Sequence, residues 1–142
     1  MVKQISVFLE NKKGQLADVA AILGGKNINL HALSIADTQD FGILRLIAEN
    51  PESVADVIRE AGYICSLTDV IAVSVPHTPG SLANIVQILS AGGVDIEYTY
   101  AFASADADRA YMVFRVSDNM TAAALLGGEG LKTLSEKDLF AK

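Results

Sequence analysis

Residues 11–16 read NKKGQL and residues 77–82 read HTPGSL. Each stretch follows a run with the alternation of a β-strand and opens a run with the spacing of a helix, so one short chain builds the same turn twice. Gly14 and Gly80 lie 66 residues apart, and the same offset pairs Leu16 with Leu82, Val19 with Ile85, Ile22 with Ile88, Leu23 with Leu89 and Ile28 with Val94. The chain is a duplication.

Working outward from the first turn, VKQISVFL alternates, with Ile5, Val7 and Leu9 to one side and Gln4 and Ser6 to the other, as in a sheet with one covered face. After the turn, Leu16, Val19, Ala20 and Leu23 make one apolar helical stripe, ended by Gly24 and Gly25, which can adopt the left-handed cap conformation. INLHALSIADT and FGILRLIAE read as two strands of a hairpin joined near Gln39 and Asp40. Asn50 is placed as N-cap before Pro51, and Val54, Val57, Ile58 and Ala61 supply the next stripe, closed by Gly62. A fourth strand starts at Tyr63. This order predicts an α+β fold: a ferredoxin-like βαββαβ module with an antiparallel sheet and both helices on one face.

The second half repeats it, with strands at 69–75, 94–104, 110–116 and 131–134 and helices at 82–89 and 120–126. Asn50 aligns with Asp118 and Gly62 with Gly130 at an offset of 68, so the second hairpin turn carries two extra residues. The domains are therefore 1–68 and 69–142, with no linker, because YICSLTDVIAVSV runs from the last strand of one into the first strand of the other. In the first hairpin both parities are apolar: Ile28 and Leu30 against Leu33 and Ile35, Ile43 and Ile47 against Leu44 and Leu46. Such strands read as covered on both faces, by another sheet or a second chain.

The chain has 142 residues, 51% of them hydrophobic, and a mean hydropathy of +0.33. That is apolar for a soluble protein this small, and it predicts a homodimer. A net charge of −6 with a pI near 4.7 is the wrong sign for neutralising phosphates, which argues against a nucleic-acid partner. A single cysteine, Cys65, and no leader-like start predict a reduced, cytoplasmic location. No apolar run approaches the ~20 residues needed to cross a bilayer, so no membrane span is expected.

Neither repeat carries a catalytic set. There is no Gly-x-Ser-x-Gly elbow, no His-Glu-x-x-His and no phosphate loop, and GGKN lacks the spacing of a Walker sequence. One cysteine and two distant histidines make a poor metal site, and Asp106 and Asp108 in SADADR read as a solvated hairpin turn. The sequence predicts no enzyme, no metal and no cofactor. The turns point elsewhere: a glycine at a strand-to-helix junction lets backbone approach a ligand, and the free N–H groups of the first helical turn favour an anion such as a carboxylate. Asn11 lies three residues before Gly14 and Asn29 fifteen after it, and the two are expected on one rim.

ENKKGQL followed by KNINL resembles the ENRPG-type turn and VNI strand start of the ACT domain, a small ferredoxin-like module that binds amino acids and regulates metabolic enzymes. The whole chain resembles the stand-alone tandem ACT proteins of bacteria. The resemblance implies binding of a free amino acid, with Asn11 and Asn29 at the positions whose side chains hold it, and an enzyme of amino-acid metabolism as a partner. It places the ligand carboxylate at the amides around Gly14, Gln15 and Leu16, or Gly80, Ser81 and Leu82. Lys13 stands where the family has proline and adds a positive charge. In the second repeat Pro79 is present, but His77 replaces the Asn or Asp and Asp95 replaces the Asn of the strand start, so the two sites are not equivalent. Asp95 suits an α-ammonium, and His77 either packs locally or meets the ligand side chain.

Plainer roles compete. Asn29 and Asp95 fit strand-start caps, His77 a surface turn, His31 a packing residue, Cys65 an inert core thiol, and Lys12 and Lys13 a solvated pair. Tyr98, Tyr100, Phe102 and Tyr111 fit a cross-strand aromatic cluster. A protein-docking module without a small-molecule ligand fits the same pattern. An acylphosphatase would need an arginine in NKKGQL, and an RNA-binding module would need basic and aromatic residues on VKQISVFL.

Overall fold

The computed structural model describes residues 1–10, 14–37, 41–104 and 106–140. Its elements in chain order are β1 Val2–Glu10, α1 Gln15–Gly25, β2 Leu30–Asp37, β3 Phe41–Ala48, α2 Pro51–Glu60, β4 Ile64–Pro76, α3 Ser81–Ala91, β5 Ile96–Ala103, β6 Arg109–Val116, α4 Asn119–Gly128, β7 Thr133–Leu134 and α5 Glu136–Phe140. The chain divides into two compact units, Lys3–Thr68 and Asp69–Lys142, the latter with Met1–Val2. Each is a βαββαβ module. The 13-residue β4 belongs to both, as the last strand of one module and the first of the next.

In the first module β3 lies between β2 and β1, both antiparallel to it, and β4 lies on the far side of β1. Ile5, Val7 and Leu9 of β1 and Leu44 and Leu46 of β3 face Val19 and Leu23 of α1 and Val54, Ala55 and Ile58 of α2, all buried. The second module repeats the order, with β6 between β5 and β4 and β7 on the other side of β4. Ile71, Val73, Val75, Met112 and Phe114 of its sheet pack with Ile85, Leu89, Ala122 and Leu126 of α3 and α4. Alternation in the strands and 3.6-residue spacing in the helices thus converge on one apolar layer per module.

Several local expectations change. The left-handed residue that closes α1 is Asn27, at φ 58, while Gly24 and Gly25 stay helical. Its partner at the 66-residue offset is Gly93, at φ 76. Each lets the next N–H reach back into the helix, Ile28 to Leu23 O at 3.0 Å and Val94 to Leu89 O at 2.9 Å. Asparagine tolerates this conformation, so the first repeat needs no glycine there. Gly62 and Gly130, at φ 96 and 77, close α2 and α4 in the same way. Asn50 holds the cap position of α2 but at φ 53 and with no side-chain bond to the helix, and the buried stripe is Pro51, Val54, Ala55 and Ile58 rather than one reaching Ala61.

Within the chain both faces of β3 are covered, with Leu44, Leu46 and Ile47 all buried, whereas on the edge strand β2 Leu33 and Ile35 are 51% and 44% exposed. The final strand is only two residues long, and α5 follows it unannounced by any apolar period. Its start is held reciprocally: Ser135 N–H donates to Asp138 Oδ2 at 2.9 Å and Asp138 N–H donates to Ser135 Oγ at 3.1 Å.

These helix ends give opposite expectations for two glycines. Gly93→Ala should lower stability by about 1–2 kcal/mol, because an L side chain is strained at this φ. Gly24→Ala, in helical backbone with open space for a Cβ, should raise it by about 0.8–1 kcal/mol. Urea unfolding midpoints of the two variants check both signs.

Candidate functional site

The strand-to-helix turns are built alike. After β1 the chain passes through Gly14 at φ 88 and ψ 0, and after β4 through Gly80 at φ 92 and ψ −11. Among the described residues nothing crowds a Cβ at either position, so it is the left-handed backbone that calls for glycine. Each glycine occupies the cap position of an 11-residue helix, with its carbonyl accepting from Asp18 N–H or Asn84 N–H at 3.0 Å. A glycine has no side chain with which to satisfy the first-turn N–H groups. At α4, by contrast, Asp118 Oδ1 accepts from Thr121 N–H at 3.1 Å and Asp118 Oδ2 from the Thr121 hydroxyl at 2.7 Å. At α3, Ser81 Oγ donates to Pro76 O at 2.7 Å instead of serving the helix. The N-termini of α1 and α3 are therefore suited to an external acceptor.

An apolar residue stands beside each. Leu16 and Leu82 begin their helical stripes but are 41% and 45% exposed, whereas Val19, Leu23, Ile85 and Leu89 are buried. The two repeats thus share a glycine-capped helix start next to an exposed leucine, and at the second the Ser81 N–H donates to Thr78 O at 3.4 Å.

The cavities near the turns differ. In the first module a cavity of about 280 Å³ is lined by Phe8, Glu10, Gln15, Asp18 and residues 61–64. The Tyr63 hydroxyl donates to Asp18 Oδ2 at 2.5 Å, and this bond to a carboxylate, with some desolvation, holds the Tyr63 pKa above its ordinary value. Gln15 Oε1 is buried and has no hydrogen-bond partner among the described residues. In the second module a cavity of about 390 Å³ is lined by His77, residues 101–104, Ala107, Arg109 and Ala110. His77 is exposed, and its backbone N–H donates to Asp108 O at 2.8 Å, which ties the turn to the β5–β6 hairpin. Phe102 meets Tyr111 edge-on with centroids 5.2 Å apart, so one pair of the expected aromatic cluster is in contact.

The structure groups Gly14, Gln15 and Leu16 at one turn and His77, Gly80, Ser81 and Leu82 at the other. Asn11 and Lys13 lie outside the described residues. Asn29 and Asp95 are exposed at strand starts, and within a module they do not share the turn's rim. Glu10 pairs with Phe41 at one end of β3, while Leu30, next to Asn29, pairs with Ala48 at the other. In the second module Pro76 pairs with Arg109 and Ile96 with Val116. Seven residue steps of strand, about 23 Å, separate the two ends in both cases. Asp95 is anchored through its backbone: its N–H donates to Ser117 Oγ at 3.1 Å and its carbonyl accepts from Ser117 N–H at 3.0 Å. The sequence reading missed Phe8, Asp18 and Tyr63 in one module and Phe102 and Arg109 in the other, since only strand register brings them to the turns.

Among the described residues no three His, Cys, Asp or Glu side chains gather as a metal site, and no helix is long and apolar enough to cross a membrane. Cys65 is buried, its thiol directed at Ala55 O at 3.5 Å and its pKa pushed up by burial.

A family model described as an ACT domain pair matches residues 1–142. Protein BT0572 from Bacteroides thetaiotaomicron is 40% identical, with a TM-score of 0.90 over 99% of this chain and 96% of that one. The regulatory subunit of aspartate kinase from Thermus thermophilus has the same fold, with a TM-score of 0.66 at 16% identity over 90% of each chain. No curated protein matches the chain.

The Tyr63–Asp18 bond has a pH signature. A raised folded-state pKa means that the stability it contributes is fully present below about pH 10 and is lost as the pH rises through the folded-state value. In an NMR titration Tyr63 should ionise above the ordinary tyrosine range, and Asp18→Asn should bring it back down.

Proposed function

Because the chain belongs to the ACT domain pair family, we propose that it is a regulatory protein that binds a free amino acid without transforming it. The observation that carries this reading is the pair of glycine-capped helix starts at Gly14 and Gly80, each without a capping side chain and with a leucine exposed beside it. The ligand carboxylate accepts from the amides of Gln15 and Leu16 or of Ser81 and Leu82, and its side chain lies against the exposed leucine. Asn29 or Asp95 receives the ammonium. Since each module keeps these strand starts about 23 Å from its own turn, they serve a turn of another module.

Such a ligand bridges modules, and the protein acts as a cytoplasmic homodimer. A ligand held by two modules favours one arrangement over others by its difference in affinity, and that bias is the signal passed to a partner enzyme of amino-acid metabolism. The same fold in Thermus thermophilus is the regulatory subunit of aspartate kinase. Differences at the two turns, His77 and Pro79 in one and Lys13 in the other, give the two sites different preferences.

Thermal unfolding against each of the twenty amino acids at millimolar concentration is the test. One or a few should raise the midpoint, by the equivalent of about 2.7 kcal/mol at a hundred times Kd, and Asn29→Ala combined with Asp95→Ala should abolish the shift. The exposed Leu33 and Ile35 on the edge strand β2 favour a second reading, a docking module with no small ligand. A midpoint unmoved by every amino acid would favour it.

A further inference from the structure

The two repeats differ at one diagonal cross-strand position in a way the fold does not require. In the first module Phe8 of β1 stacks on Phe41 of β3, with centroids 4.6 Å apart. The corresponding residues of the second module are Ser74 and Arg109, in the same register, since Glu10 pairs with Phe41 as Pro76 pairs with Arg109. Here a guanidinium replaces a ring. Arg109 Nε–H donates to Ser74 Oγ at 2.7 Å and Nη2–H to Ser74 O at 2.9 Å. These two bonds fix the plane of the guanidinium and use two of its five N–H groups, leaving a charged edge with donors to spare. The first module folds with an aromatic pair at this place, so the scaffold has no need of the charge.

Arg109 lines the 390 Å³ cavity, where Ala101, Phe102, Ala103, Ala107 and Ala110 supply apolar walls and Ser104 adds a hydroxyl. His77 stands at its edge. The carboxylates of the hairpin turn, Asp106 and Asp108, are not among its lining side chains, and Asp106 Oδ1 is occupied by Asp108 N–H at 3.0 Å. The volume is that of a small-molecule pocket, and one oriented charge above an apolar floor is the usual way such a pocket fixes a ligand's direction. A planar carboxylate matches the guanidinium edge.

We propose that this cavity binds a small carboxylate with an apolar body, its carboxylate on Arg109 and its body against Phe102 and the surrounding alanines. The site is distinct from the turn amides, needs no ammonium group, and does not rest on the amino-acid reading above.

The test follows the thermal unfolding of the full chain with isocaproate, acetate and isocaproamide at equal ionic strength. Isocaproate should raise the midpoint, whereas acetate, which has the charge without the body, and isocaproamide, which has the body without the charge, should not. The double variant Ser74→Phe with Arg109→Phe installs the first module's own pair and should fold yet bind isocaproate at least about tenfold more weakly, the worth of a charged hydrogen bond. If it fails to fold, Arg109→Gln gives the same comparison. Equal shifts with acid and amide, no shift with isocaproate, or an unchanged response in the variants would overturn the proposal. The turn amides also suit a carboxylate, so the Arg109 variants separate the two sites: they remove the isocaproate response of this cavity and leave the response to an amino acid at the turns unchanged.

Discussion

A glycine at φ near +90° between a strand and an 11-residue helix is the constraint on which the candidate site depends. It turns the chain sharply enough that the helix lies back over the sheet that the strand has just built, and that reversal brings Val19 and Leu23, or Ile85 and Leu89, onto the core. The same turn places a residue without a side chain at the helix cap, so packing and ligand chemistry meet in one backbone conformation. A capping side chain such as Asp118 at α4 would satisfy those amides internally and leave nothing to offer.

Strand length imposes the second condition. Because β1 and β2 run the same way on either side of β3, the end of the first and the start of the second stand at opposite ends of the module. A small ligand cannot span them. Any role for Asn29 or Asp95 at a turn therefore needs a turn other than the one in its own module.

Much of the fold was legible because hydrophobic period and turn chemistry agree, and the duplication supplies each reading twice. The repeat also shows where single-residue readings mislead. Gly24 and Gly25 look like a helix stop, but alignment of Asn27 with Gly93 marks the true left-handed position. Leu16 and Leu82 fit the core stripe by spacing, yet both are substantially exposed in the first helical turn; periodicity describes a face of a helix and not how far its neighbour extends. Helix α5 has no apolar period to reveal it, although Ser135 three residues before Asp138 is a start signal. The site was less legible. Arg109 and Phe102 come to His77, and Tyr63 to Asp18, only through pairings of strands distant in sequence.

The most direct measurement is amide NMR of the protein titrated with whichever amino acid stabilises it. The account predicts that the largest shifts fall on the amides of Gln15 and Leu16, or of Ser81 and Leu82, as a carboxylate oxygen comes to these N–H groups. Binding that moves other amides and leaves both helix starts unchanged would contradict it.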